Sequence, residues 1–205
     1  AWSLSIHLWH SVYINMYGTE EQKAEYLPQI CQGKVIGSVA FTEPETGSNP
    51  KAITTKATLE GDEYVINGTK RFITLADIDG PIVVIAKDSE TEGGNQLSAF
   101  LAPKNAPGYR TTPPWKKIGL HGPATCDIYF ENMRIPASNL LGKHGQGFQA
   151  LLETMEVNHL THNSVLLGML QAAYDESLKY AQERMVRGKP ITQFQTIQTL
   201  IADIA

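Results

Sequence analysis

The sequence predicts an α+β fold in which a central β domain is inserted between two helical parts. Three observations carry that prediction. Residues 1–33 and residues from about 146 onward show helical periodicity, whereas residues 35–131 break into short runs rich in β-branched and aromatic residues. The pair Asn67-Gly68 separates two such runs, EYVI and KRFIT, and a two-residue type I′ hairpin turn requires that kind of pair. From Phe148 onward, apolar residues recur every three or four positions. The short strands and their Gly/Pro turns suggest an antiparallel barrel or sandwich. The expected domains are 1–36, the end of an N-terminal helical domain; 37–145, the β domain; and 146–205, the first part of a C-terminal helical bundle.

At the start, Trp2, Ile6, Trp9 and Tyr13 share one helical face. Thr19 then precedes EEQKAEYL, whose early acids mark a helix start, and Pro28 and Gly33 close the segment. VIGSVAF reads as a buried strand that leads straight into the polar loop FTEPETGSNP. Pro44 and Pro50 forbid regular helix there, and Gly47 permits a turn that other residues resist. IVVIA, LSAFLA and CDIYF supply further strands.

The last helical part runs through Leu151, Leu152, Met155, Val165, Leu166, Met169 and Ala173 to about Arg184. Its polar patch NHLTHN (158–163) marks a kink or a site. Gly188 and Pro190 break it, and a final helix from about Thr192 is expected to bury Phe194, Ile197, Leu200, Ile201 and Ile204. The uncapped, amphipathic ends at residues 1 and 205 read as an interior piece of something longer.

Composition narrows the function. With 205 residues, 42% of them hydrophobic, the chain can bury a real core. A formal net charge of −4 leaves no basic footprint for nucleic acid. No apolar run approaches the ~20 residues of a membrane-spanning helix, so the chain reads as soluble by this test, with no membrane partner. Cys31 and Cys126 lack metal-ligand spacing and are expected as two inert buried thiols in a reducing compartment, with a disulfide as the alternative. The six histidines show no ligand spacing, so no metal site is predicted.

Six stretches, YGTEEQKAEYLPQICQGK, FTEPETGSNP, GDEYVINGTKRFIT, KKIGLHGPATCDIYFENMRIP, LLGKHGQGF and AQERMVRGKPITQFQTIQ, follow one another in the order and spacing of a known family. On them the chain resembles the acyl-CoA dehydrogenases, flavoenzymes that desaturate the α–β bond of acyl-CoA thioesters. The resemblance covers nearly the whole chain. It implies an N-terminal helical domain, a central β domain and a C-terminal four-helix bundle, with much of the first and the last half of the third missing here.

The resemblance also implies FAD as cofactor and assigns roles. Thr42 offers a hydroxyl and an N–H to the flavin ring, with Phe41 contributing backbone groups nearby. Gly47 and Ser48 meet the flavin pyrophosphate or the neighbouring substrate pantetheine. Phe72 covers the ring, Ile73 is a cofactor-binding residue between it and Thr74, and Thr74 stands near flavin N5. Arg184 and Gln195 reach the cofactor of an adjacent subunit, so a homodimer or homotetramer is implied. Glu156 matches a position that contacts coenzyme A in some members. Taken without the resemblance, Thr42 and the pair Gly47-Ser48 are turn residues, Phe72 is a core aromatic, and Arg184 is an exposed helix-end cation.

Five positions depart from the family pattern. Asn158 and His159 occupy positions where members of the family carry a glutamate base and an arginine, so no catalytic residue is expected in this chain and the base is expected beyond Ala205. Arg187 replaces a phenylalanine, and Asn49 an aspartate. Phe72, where tryptophan is usual, lacks the indole donor. The leading expectation is an FAD-dependent acyl-CoA dehydrogenase of fatty-acid metabolism, acting on an acyl-CoA or acyl-carrier-protein substrate. Its electrons pass to an electron-transfer flavoprotein or to oxygen, in a bacterial cytoplasm or a mitochondrial matrix. The alternatives are a non-catalytic subunit completing a shared flavin site in a hetero-oligomer, and a β-domain binding module without flavin.

Overall fold

A computed structural model describes residues 2–205. Its elements are α1 (Trp2–Tyr17), α2 (Glu20–Cys31), β1 (Ser38–Ala40), β2 (Lys56–Glu60), β3 (Glu63–Thr74), β4 (Pro81–Asp88) and β5 (Leu97–Pro103). They continue as β6 (Tyr109–Thr111), β7 (Thr125–Pro136), β8 (Leu140–Leu141), α3 (Gly147–Glu183), β9 (Met185–Val186), β10 (Lys189–Pro190) and α4 (Gln195–Ile204). The α+β class is as expected. The chain divides into two compact units, the first ending at His159 and the second running Leu160–Ala205.

In the first unit the strands form one sheet in the order β6-β7-β3-β2-β4-β5-β8, with β1 added beside β4. The sheet is mixed rather than purely antiparallel, because β1 and β2 both pair parallel with β4. β4 explains its own sequence: Ile82, Val84 and Ala86 enter one core cluster, while Val83 and Ile85 face the other. A strand covered on both sides reads as a continuous apolar run rather than an alternation. The second cluster packs Trp9, Tyr13 and Ile14 of α1 with Ala150 and Leu151 of α3. Thr19 caps α2 as its sequence suggests, in a reciprocal capping box with Gln22.

The hairpin expected at Asn67-Gly68 is not formed. β3 runs unbroken through both residues, and the turn into it falls at Gly61, where φ is 70°. Gly68 serves a different need. A Cβ there would lie 2.5 Å from Thr55 Oγ1 and 2.8 Å from Thr55 Cα, so only glycine lets β3 pass that close to the preceding chain. The β3–β7 register slips at this point, between Ile66 and Gly68, and again between Lys70 and Ile73.

Cys31 is exposed and only Cys126 is buried, and both are free thiols, which corrects the expectation of two buried ones. α3 continues without a break through residues 158–163.

In the second unit, Arg187 (φ 53°) and Gly188 (φ 77°) join β9 to β10 with two successive positive φ values, as a two-residue hairpin turn demands. The apolar stripe of α4 is not buried as expected. Leu200 and Ile204 are exposed, and no residue of α4 is fully covered among the described residues. An amphipathic stripe predicts which side a helix will bury, but burial also needs a facing surface.

Candidate functional site

The loop after β1 is built around Glu43. Its N–H donates to Thr46 O at 2.8 Å and the Thr46 N–H returns to Glu43 O, closing a tight turn over Pro44 and Glu45. The Glu43 carboxylate turns inward and accepts four bonds from the next segment: the N–H and hydroxyl of Thr54, both at 2.7 Å, and the N–H and hydroxyl of Thr55. A fifth comes from Lys70 Nζ at 2.9 Å. Lys70 is wholly buried on β3 and donates also to the carbonyls of Phe41 (3.1 Å) and Ile85 (2.7 Å). Burial alone would raise the Glu43 carboxyl, but Lys70 and the two threonines outweigh it and hold it well below the usual carboxylate range. Burial draws the Lys70 ammonium down, and Glu43 opposes that shift.

This buried frame supports Thr42. Its carbonyl accepts the Arg71 N–H at 2.8 Å, which ties the loop to β3. Its own N–H and hydroxyl, half-buried, have no hydrogen-bond partner among the described residues. Gly47 lies over Thr42, an added Cβ being 3.5 Å from Thr42 Cγ2, and the exposed Ser48 hydroxyl is likewise uncommitted.

Immediately after Arg71, β3 bulges. Phe72 takes φ 59° and turns its ring outward, 55% exposed, while Ile73 goes into the core. Asp127 on β7 holds the bulge. Its Oδ1 accepts the Phe72 N–H (3.2 Å) and the Trp115 indole N–H (2.8 Å), and its Oδ2 accepts Arg71 Nε (3.1 Å). The Phe72 and Trp115 rings stand 5.4 Å apart, with the Arg71 guanidinium 5.8 Å from the centre of Phe72 and 5.9 Å from that of Trp115. Thr74 ends β3 with its hydroxyl 3.5 Å from that of Thr125. A recess of about 510 Å³, lined by Leu4, His7, Ile36 and Ile78 among others, adjoins Leu75.

The Arg71 N–H on Thr42 O ties the loop that carries Phe41, Thr42, Gly47 and Ser48 to the part of β3 that carries Phe72, Ile73 and Thr74. Ile73 offers no side chain to the surface, being buried. Glu156 is exposed on α3, and Asn158 is buried with Ser5 Oγ 3.5 Å from its Oδ1. Arg184 and Gln195 lie in the second unit, where both are exposed. The Arg184 carbonyl accepts the Ile191 N–H at 2.9 Å, and Gln195 opens α4.

Sequence reasoning passed over Glu43 as a structural acid, and over Lys70, Asp127 and Trp115 altogether. A signal for Lys70 existed: it shares strand parity with the buried Tyr64 and Ile66, so alternation pointed it at the core. The hairpin expected at Asn67-Gly68 concealed that parity.

The loop after β1 carries an uncommitted amide and two uncommitted hydroxyls, and β3, tied to it through Arg71, carries an exposed ring. The chain matches the family profile for the acyl-CoA dehydrogenase middle domain over residues 38–133 and that for the acyl-CoA dehydrogenase C-terminal domain over residues 145–205. It is 42% identical over 190 residues to the probable acyl-CoA dehydrogenase YngJ of Bacillus subtilis, covering 92% of this chain and 50% of that protein. It is 40% identical over 204 residues to the acryloyl-CoA reductase (NADH) of Anaerotignum propionicum, covering 98% of this chain and 52% of that protein. Among solved structures, an acyl-CoA dehydrogenase complexed with FAD from Bacillus anthracis superposes with a TM-score of 0.92 at 31% identity, covering 98% of this chain and 34% of the other. The chain spans about half the length of the curated relatives it matches.

Proposed function

The chain belongs to the acyl-CoA dehydrogenase family, and from that premise we propose that it forms the flavin-holding part of an FAD-dependent acyl-CoA dehydrogenase. The reaction is α,β-desaturation of an acyl thioester. The observation that carries this reading is Thr42, whose N–H and hydroxyl have no protein partner among the described residues and whose carbonyl is bonded to Arg71, the residue before the outward-turned Phe72.

FAD held here would supply the acceptor for the β-hydrogen as hydride. Thr42 would donate to it through its N–H and hydroxyl, Thr74 would offer a second hydroxyl two residues beyond the ring of Phe72, and Phe72 would shield it from water by apolar contact. Gly47 and Ser48 present backbone and a hydroxyl to the pyrophosphate or the pantetheine, and Arg184 and Gln195 serve the cofactor of a second subunit in a homodimer or homotetramer. The α-proton needs a carboxylate base. Glu43 is committed to five donors and Asn158 carries no carboxylate, and on the family pattern the base comes from a region absent from this chain. The electrons leave to an electron-transfer flavoprotein or oxygen. The setting is a bacterial cytoplasm or, in a eukaryote, a mitochondrial matrix.

The test is anaerobic titration of the full-length protein with saturated acyl-CoA thioesters. Bleaching of the bound flavin is expected. Stoichiometric flavin that no acyl thioester reduces would sink the dehydrogenase reading. Flavin that appears only when a homologous subunit is added would favour instead a non-catalytic partner that completes a shared site, a reading motivated by Phe72 standing where tryptophan is usual.

A further inference from the structure

The Lys70–Glu43 pair needs an explanation beyond stability. Both side chains are almost fully enclosed, and removing two charges from water offsets much of what their attraction returns. Replacement of such a pair by apolar residues of similar volume is often neutral or stabilising. An apolar pair could not, however, bond the backbone on either side of Thr42.

The peptide unit joining Phe41 to Thr42 is trans, so the Phe41 carbonyl and the Thr42 N–H point in opposite directions. Lys70 Nζ takes that carbonyl at 3.1 Å from the core side, which aims the Thr42 N–H away from the core. The next peptide unit is set by the Arg71 N–H on Thr42 O at 2.8 Å. Glu43, immediately after, is held by Thr54, Thr55 and Lys70. The third bond of Lys70, to Ile85 O at 2.7 Å, anchors the whole frame to the central strand β4. All three ammonium protons are therefore used, one of them on the peptide unit that carries the free donor.

We propose that Lys70 and Glu43 are positioning residues for the flavin site: the pair sets the direction of the Thr42 N–H, and through it the affinity and reduction potential of bound FAD, without touching the cofactor. This rests on the flavin reading above. Preorganised donors act on a cofactor's charge distribution only if they cannot swing away, and a buried, fully bonded ion pair supplies that rigidity.

The test compares the full-length protein with the double variant Lys70→Met/Glu43→Gln, which removes both charges at similar volume. Far-UV circular dichroism and a cooperative melt establish that it folds. The expected result is an FAD dissociation constant raised at least tenfold. A tenfold change in the ratio of oxidised to reduced flavin affinity is also expected, about 30 mV for a two-electron couple. Unchanged affinity and potential in the folded double variant, whatever its melting temperature, would overturn the proposal. Lys70→Arg, which keeps donors for Phe41 and Glu43, is the second variant: it should retain both values, and a loss as large as that expected of the double variant overturns the proposal. A third readout needs no flavin. In the apoprotein, a single sharp Thr42 amide resonance that broadens in the double variant supports the proposal, and one already exchange-broadened in the wild type overturns it. If the wild type takes up no FAD at all, the flavin reading fails, and the Thr42 resonance still judges the positioning role.

Discussion

Asp127 Oδ1 accepts the backbone N–H of Phe72 at 3.2 Å, and this bond holds the one place where β3 turns an aromatic ring out of the sheet. The same carboxylate holds Arg71 and Trp115, so the ring pair and the cation beside it depend on a single buried acid. Asp127→Ala leaves the Phe72 amide without its acceptor, and that loss costs about 1–3 kcal/mol. Urea unfolding followed by tryptophan fluorescence should show a lower midpoint and an altered native emission from Trp115. Native emission identical to wild type would mean that Asp127 does not hold the indole.

Gly68 and Gly61 both have positive φ, yet their substitution should differ in cost. At Gly61 (φ 70°) an added Cβ meets nothing within 4 Å, so Gly61→Ala pays only backbone strain, about 1–2 kcal/mol. At Gly68 the Cβ would press on Thr55 Cα at 2.8 Å, adding an overpacking cost of about 1–3 kcal/mol to the strain. Chemical denaturation of the two variants checks this, and equal destabilisation would count against the close approach of β3 to Thr55.

Acid should unfold the protein early, through His10. The ring is fully buried with neither nitrogen hydrogen-bonded among the described residues, and burial, with Lys104 and His7 nearby, pulls its pKa from 6.5 down to about 3. Between those values the unfolded chain binds a proton that the folded one does not. Stability therefore falls as pH drops from about 6.5 toward 3, by about 1.4 kcal/mol per pH unit. Glu43, also lowered in the folded state, adds to the loss only below its ordinary value of 4.5. His10→Leu should flatten stability between pH 4.5 and 6.5 and leave the steeper fall below it, as read by urea midpoints across pH.

Thiol titration should distinguish the two cysteines. Cys31 is exposed, whereas Cys126 is buried and its thiol pKa is raised by burial. One thiol per chain should react rapidly with a disulfide reagent in the native state and two after denaturation. Cys31→Ser should abolish the fast reaction, and a second fast thiol in that variant would contradict the burial of Cys126.

Much of this protein is determined by its sequence alone. The helical and strand segments, the Thr19 cap, the loop after β1 and the family itself are legible there, because each depends on residues close together in the chain. A capping box spans four residues, and periodicity needs only a turn or two. Tertiary structure alone decided the rest. Gly68 lies within a strand because β3 passes against Thr55, and Phe72 points outward while Ile73 points in because Asp127, far along the chain, stabilises a bulge. Lys70 is a buried partner of Glu43 rather than a surface cation because Phe41, Glu43 and Ile85 converge on it from separate segments. Each of these outcomes depends on which distant backbone lies alongside, and local sequence carries no record of that. The orientation of Thr42, on which the proposed flavin site depends, belongs with them.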